Sequence, residues 1–225
     1  MYPIEDSLNR LATLADPLRR QLYAWVCAQE RAVTRDEVAA GTGVARHVAK
    51  FNLDRLVNDG FLDADYRRPP GVGGPGAGRP AKVYRRSTSE VMASVPERKY
   101  ELAGKLLTRA ITDARTTGRS IEKSIAAVAD AEGRAVGAAT PGRRRGTMKS
   151  LALTLAAEGY EPRAERHGIT LTNCPFHALA QEDTELVCAM NLAFVRGVLV
   201  GADAEGVDAR LEPHEHHCCV RVVKH

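Results

Sequence analysis

Residues 67–80 restrict the fold more than any other part of the chain. They read Arg-Arg-Pro-Pro-Gly-Val-Gly-Gly-Pro-Gly-Ala-Gly-Arg-Pro, a composition too rich in glycine and proline for a helix or a central strand. The segments on either side, 61–66 and 82–86, alternate apolar and polar residues, as short strands do. The sequence therefore predicts an antiparallel hairpin that closes through a long loop.

Three helices are predicted ahead of this hairpin. The first covers 7–29 with a break at Pro17, and the second begins at Thr34, where Thr-Arg-Asp-Glu has the hydroxyl and the carboxylate of a capping box. A glycine turn at 41–43 ends the second helix, and the third helix runs from 45 to about 58. The large aromatic side chains that we assign to the core are Trp25, Phe51 and Phe61.

Basic residues are concentrated in this first part of the chain. Residues 1–86 contain 14 Lys and Arg against 10 Asp and Glu, whereas residues 87–225 contain 18 of each kind, so the first segment carries the whole net charge of +4. Between 66 and 86 there are six basic residues and no acidic one. Such a positive segment favours a polyanionic partner.

Three helices with a tight turn between the last two, followed by a basic hairpin, are typical of a winged helix-turn-helix. In such a module the third helix enters the major groove of DNA and the hairpin reaches the backbone. We expect the basic residues of the third helix to lie opposite Val48 and Phe51. The predicted DNA contacts are Arg46, His47, Lys50 and Asn52 on the helix, and Arg67, Arg68, Arg79 and Lys82 on the hairpin. A single Arg or Lys is more often a solvated surface residue, but the combination favours DNA binding.

The overall prediction is an α+β protein with three segments. Residues 1–88 form the winged helix-turn-helix, 89–140 a helical linker and dimerisation region, and 141–225 a mixed α/β sensor domain. Because palindromic operators require two copies, we expect a homodimer that pairs through or near a long helix over 97–117. The other elements predicted are helices over 118–139, 148–158, 175–183 and 186–200 and strands over 161–166, 169–173, 207–211 and 218–223.

The chain has no run of the roughly 20 apolar residues that a membrane span requires. Its first residues lack the basic and apolar regions of a secretory signal. We therefore expect a cytoplasmic protein without a membrane partner. In that compartment a framework of disulfides is not expected.

Four of the five cysteines lie at the ends of predicted elements in the last third of the chain. Cys174 and His177 are three residues apart at a helix start, and five of the six residues 214–219 are His or Cys. Soft thiolate ligands favour zinc, copper(I) or an iron–sulfur cluster, although each thiol could instead be a small buried apolar group. The candidate metal ligands are Cys174, Cys188, Cys218, Cys219, His177 and His216.

A family resemblance runs through nearly the whole chain. The segments that carry it are 45–56, Asn173-Cys174-Pro175-Phe176-His177, Val187-Cys188 and Cys218-Cys219-Val220, which together resemble the SufR-type regulators of the broad ArsR-like group. The resemblance implies a dimeric repressor that binds an iron–sulfur cluster, of the 4Fe-4S type, and controls cluster-assembly operons.

The same resemblance implies that Cys174, Cys188 and one of Cys218 or Cys219 bind the cluster. This chain departs from the four-cysteine pattern because 201–208 contains no cysteine. The fourth ligand would then be His177, a histidine within 214–217, the adjacent cysteine, a carboxylate or a small molecule.

The sequence thus predicts a transcriptional regulator, not an enzyme, whose operator affinity depends on a cluster. No catalytic pairing of Asp and Glu is identified near the cysteines, which disfavours a thiol-dependent enzyme. The alternative is a winged-helix regulator that responds to zinc or to an organic effector and has no cluster.

Overall fold

The computed structural model describes residues 3–67, 80–89, 94–140, 146–214 and 217–225. The chain has a mixed α+β fold with two small antiparallel sheets, and it divides into two compact units, Met1–Ala93 and Ser94–His225. The long helices predicted as a linker lie in the second unit.

The first unit contains four helices and one sheet among its described residues. In chain order these are α1 (Pro3–Ala15), α2 (Pro17–Cys27), β1 (Val33–Thr34), α3 (Arg35–Thr42), α4 (Arg46–Asn58), β2 (Leu62–Arg67) and β3 (Ala81–Arg86). The break at Pro17 is confirmed, since Asp16 caps α2. The capping box is also confirmed, with Thr34 and Glu37 bonding each other's backbone N–H, and Gly43 ends α3 with a φ of 71°.

The sheet of this unit has the order β1-β3-β2, with Val33 opposite Tyr84 and Tyr66 opposite Lys82. The predicted hairpin is therefore confirmed, and β1 adds a third strand that the sequence did not reveal. The core of the first unit is formed by apolar side chains from α2, α3, α4 and the sheet, including Leu22, Val38, Leu53, Leu56, Leu62 and Tyr84.

One carboxylate joins the sheet to α4. The Lys82 Nζ lies 2.6 Å from Oδ1 of Asp54, and the Tyr84 hydroxyl donates to the same oxygen over 3.1 Å. Burial and the neighbouring Asp54 carboxylate raise the pKa of Tyr84 above its ordinary value. Tyr84 therefore stays protonated as a donor, and the hairpin is held against α4.

The second unit contains α5 (Tyr100–Thr117), α6 (Ile121–Ala138), α7 (Met148–Ala157), β4 (Pro162–Glu165), β5 (Gly168–Leu171), α8 (His177–Glu182), α9 (Thr184–Gly201), β6 (Val207–Leu211) and β7 (Val220–Lys224). The sheet has the order β4-β5-β7-β6 and is antiparallel throughout. The predicted elements are confirmed with shifts of a few residues at their ends.

Helices α6 and α9 cross at backbone distance. Each carries two glycines four residues apart, Gly133 and Gly137 on α6 and Gly197 and Gly201 on α9. A Cβ added at any of them would overlap a carbonyl oxygen of the facing helix, for example that of Phe194 at Gly133. Glycine at these four positions is therefore what permits the crossing.

Helix α9 is the only stretch of the described residues that is long and apolar enough to cross a membrane. Half of it is buried inside the unit, where it packs on α6 and on β6 and β7. Its apolar character is that of a core helix.

We expect Gly133→Ala to lower the free energy of unfolding by about 1–3 kcal/mol or more, because the added methyl overlaps the backbone of α9. Gly104→Ala is the matched control, since nothing lies within 4 Å of a Cβ at this helical position. It should stabilise the protein by roughly 0.5–1 kcal/mol. Urea unfolding followed by circular dichroism measures both, and equal effects of the two substitutions would contradict the crossing.

Candidate functional site

Three elements bring four cysteines of the second unit together. Cys174 follows β5, Cys188 lies in the second turn of α9, and Cys218 and Cys219 immediately precede β7. Backbone hydrogen bonds hold the chain before β7 on both sides. The Cys218 N–H donates to the Leu171 carbonyl over 2.8 Å, and the Glu212 N–H donates to the Cys219 carbonyl over 2.7 Å. We call these four residues the cysteine centre.

The cysteine centre consists of two pairs. Cys188 and Cys219 are at disulfide distance, with their Cα atoms 6.4 Å apart. Cys174 and Cys218 are free thiols, and the pKa of each depends on the other. Because Cys218 and Cys219 are consecutive, the two pairs are joined by one peptide bond, and all four sulfurs belong to one small region of the unit.

The two free thiols have different proton affinities. The hydrogen bond from Cys218, the backbone N–H of Phe176 and the charge of Arg98 together lower the pKa of Cys174 from 9.0 to about 7, against the effect of burial. The same hydrogen bond and its own burial raise the pKa of Cys218. Cys174 is therefore the first of the two to lose its proton, and its thiolate forms as the pH rises through about 7.

A buried polar chain also supports Cys218. The Asn191 Nδ2 donates to the Cys218 sulfur over 3.1 Å, and the Tyr160 hydroxyl donates to the Asn191 Oδ1. Tyr160, Asn191 and Cys218 are all buried, so each polar atom needs a partner inside the protein. Burial raises the pKa of Tyr160, which keeps its proton for this bond.

The loop that carries Cys174 is fastened to the segment before α5. The Arg98 guanidinium donates to the Cys174 carbonyl over 3.1 Å and also to the Asn173 side chain. In return the Asn173 amide donates to the Glu97 carbonyl over 3.0 Å, and the Lys99 N–H donates to the Pro175 carbonyl over 3.1 Å. These bonds hold 97–99 outside the helix, which is why α5 begins at Tyr100 and not at 97 as predicted.

The candidate histidine ligands lie at the edge of this region or outside it. His177 is exposed, and its Nε2 lies 3.2 Å from the amide nitrogen of Gln181 on its own helix. His216 lies outside the described residues. The rings of His214 and His217 are tilted by 38° with centroids 4.9 Å apart, and both line a groove of about 430 Å³. Within the described residues no group of three or more His, Cys, Asp or Glu side chains is arranged to hold a metal ion.

A second candidate site is the outer face of α4. Arg46, His47 and Lys50 are exposed there. Phe51 shares this face and is 70% exposed, so its assignment to the core is wrong, and so is the prediction that the basic residues lie opposite it. Asn52, predicted to contact DNA, is instead 6% exposed, and its side-chain amide donates to the Val48 carbonyl over 2.9 Å. The helix turns Ala49, Leu53 and Leu56 inward, and this rotation buries Asn52 and exposes Phe51.

The cations of this face and of the hairpin have carboxylate neighbours. Arg46 pairs with Asp36 over 2.8 Å, Lys50 with Asp54 over 3.4 Å, and Arg67 with Asp65 over 3.7 Å. Lys82 pairs with the same Asp54 carboxylate over 2.6 Å. Arg68 and Arg79, the other predicted hairpin contacts, lie outside the described residues.

Comparison with known proteins assigns no family to the chain. No protein-family model matches the chain, and no curated protein or solved structure is significantly similar to it. The resemblance to SufR-type regulators thus stays a hypothesis carried by the quoted motifs.

Several residues that organise these sites were not singled out from the sequence. Asp54 connects α4 to the sheet, Arg98 and Asn173 hold the Cys174 loop, and Asn191 supports Cys218. Only Asn191 had a local signal, since it is a lone amide inside an almost wholly apolar helix. The other contacts join residues far apart in the chain.

We expect alkylation of Cys174 by iodoacetamide to rise with pH around a midpoint of about 7, because the thiolate is the reacting form. Cys218→Ala removes the donor that lowers this pKa, so the midpoint should move up towards the ordinary thiol value. Cys27→Ala, in the first unit, should leave it unchanged. Mass spectrometry of the Cys174 peptide gives the rates, and an unshifted midpoint in Cys218→Ala would contradict the hydrogen bond.

Proposed function

We propose that this protein is a winged helix-turn-helix transcriptional repressor whose affinity for operator DNA depends on an iron–sulfur cluster bound at the cysteine centre. The observation that carries the proposal is the convergence of four cysteines from three elements on one region. Cysteines from three segments that lie far apart in the chain come together, and their thiolates would be soft ligands of the kind that iron and zinc bind.

The first unit supplies the DNA-binding half of the proposal. The succession of α2, α3 and α4 with a glycine turn, and a hairpin held to α4 by Asp54, supports a winged module with α4 as the recognition helix. His47 and Lys50 would reach base edges, and Arg46, Arg67 and Lys82 would reach phosphates. Exposed ion pairs contribute only ~0–1 kcal/mol, so phosphates can replace the carboxylates that now face Arg46 and Arg67.

Thiolates are the ligands that hold iron–sulfur clusters, and the cysteine centre would supply them. Cys174, Cys188 and one of Cys218 or Cys219 would hold it, and when bound it would supply an inorganic cross-link between β5, α9 and β7. Cys188 and Cys219 can serve as ligands only as separate thiolates, and as a disulfide they are unavailable. The protein would thus have a cluster-binding reduced form and a cluster-free form in which this pair is closed.

The Arg98 contacts support a route from the cysteine centre to the rest of the chain. Cys174 is bonded through its own carbonyl to Arg98, two residues before α5 begins. A shift of the Cys174 loop would therefore move the segment that enters α5, which we propose as the dimerisation helix. Ligand binding changes DNA affinity only if it favours one of the two arrangements.

A regulator that responds to an organic effector is the second candidate. The observation that favours it is an apolar groove of about 420 Å³ in the second unit, lined by residues of α6 and α7 such as Val136 and Leu153. In that case the cysteines could bind zinc or no metal, and their substitution would leave the response unchanged.

The full chain should acquire a cluster after anaerobic purification and reconstitution with iron and sulfide, as seen by absorption and Mössbauer spectra. We expect its affinity for duplex DNA selected from a random library to differ roughly 5–150-fold between the two forms. Cys174→Ala should abolish this difference, and Cys27→Ala should preserve it. Protein that contains only zinc after reconstitution, with unchanged DNA binding in Cys174→Ala, would contradict the cluster.

Arg98→Ala should uncouple the cysteine centre from DNA binding while leaving both the cluster site and the DNA-binding surface intact. We expect normal cluster content and retained DNA binding. The ratio of DNA affinities between the cluster-bound and cluster-free forms should fall towards one, because the Cys174 loop is no longer fastened to the segment before α5. Lys105→Ala, which removes an exposed pair with Glu101, is the matched control. Fluorescence anisotropy with labelled duplex measures the ratio, and an unchanged ratio in Arg98→Ala would exclude this route.

A further inference from the structure

Phe51 occupies the middle of the exposed face of α4. Its side chain is 70% exposed, whereas the polar Asn52 beside it is 6% exposed. A helix that served stability alone would place these two residues the other way round. Rotating α4 to bury Phe51 would expose Leu53 and Leu56, both fully buried, so the fold keeps the phenyl ring in solvent.

A lone apolar side chain on a surface is common and needs no partner. Phe51 differs because of its neighbours. It lies in a shallow depression of about 320 Å³ whose other lining residues all carry polar or charged groups, namely His47, Lys50, Asp54, Arg55 and Asn58. These residues follow the spacing of one helix face. The face thus offers one apolar contact in the midst of hydrogen-bonding groups.

The charges of this depression favour an anionic partner. Lys50 and Arg55 project from the same face, and Arg46 stands at its N-terminal end. Arg55 pairs with Asp59 over 2.8 Å, and Arg46 pairs with Asp36 over 2.8 Å. Asp54, the acidic member, is neutralised by Lys82 at 2.6 Å and by Lys50 at 3.4 Å. Burial raises the pKa of Asp54, but the interactions with Lys82, Tyr84 and Lys50 outweigh it and lower the pKa below its ordinary value. Asp54 therefore stays ionised and anchors these lysines.

We propose that Phe51 recognises a thymine methyl group in the major groove. This inference rests on the proposed function, in which α4 is the recognition helix. The floor of the major groove presents only one apolar group, the 5-methyl of thymine, and phenylalanine is one of the side chains that contact it. Phe51 therefore specifies an A·T pair at one position of each half-site, while His47 and Lys50 read or anchor the adjacent positions.

The test uses the full-length protein and duplexes selected from a random library. Each thymine of the selected site is replaced in turn by deoxyuridine, which removes the methyl and keeps every hydrogen-bonding group. We expect one position per half-site at which this change weakens wild-type binding about fourfold, since burial of one methyl contributes ~0.8 kcal/mol and 1.4 kcal/mol is tenfold.

Phe51→Ala should bind the thymine and deoxyuridine duplexes equally at that position and should melt at the wild-type temperature, because the side chain is exposed. Val200→Ala removes another exposed apolar side chain, in the second unit, and should keep the full preference for thymine. Wild-type binding that is unaffected by deoxyuridine at every position, or a thymine preference retained in Phe51→Ala, overturns the inference and leaves the proposed function standing. Failure of the wild-type chain to enrich any duplex overturns the proposed function and the inference with it.

Discussion

Backbone contact between α6 and α9 is the constraint on which the second unit depends. Four glycines remove the side chains from the crossing, so each helix fills the space where the other would carry a Cβ. The glycines are four residues apart on both helices, which determines the position of α9 along its axis as well as its distance from α6. The first turns of α9, with Cys188, are thereby placed against the segment before β7 that carries Cys219.

The placement of α9 positions two of the contacts in the cysteine centre. Cys188 and Asn191 are one helical turn apart and lie on the same side of α9, where the first meets Cys219 and the second donates to Cys218. One face of one helix thus orients two consecutive cysteines. The buried Asn191 amide is stable only while it has hydrogen-bond partners, since an unsatisfied buried polar group costs ~1–3 kcal/mol. Tyr160 and Cys218 supply those partners.

Local signals made most of the elements predictable. The glycine-rich segment after residue 66 implied a hairpin, and the Thr34–Glu37 capping box marked the start of α3, because both depend on residues close together in the chain. The rotation of α4 was not predictable, since an apolar stripe that includes either Val48 and Phe51 or Leu53 and Leu56 satisfies helical spacing equally well. The pairing of the cysteines depends on strand order and on the α6–α9 crossing. Neither can be read from spacing alone.

Asp54 has a consequence for how the first unit meets a polyanion. Its carboxylate holds Lys50 of α4 and Lys82 of β3 at the same time, so a competing anion that draws Lys50 away leaves the bond to Lys82 in place. The angle between the helix and the hairpin is then settled during folding, before any partner arrives. Binding to such a surface requires little further ordering of the chain, and preorganisation of this kind increases affinity without adding a contact.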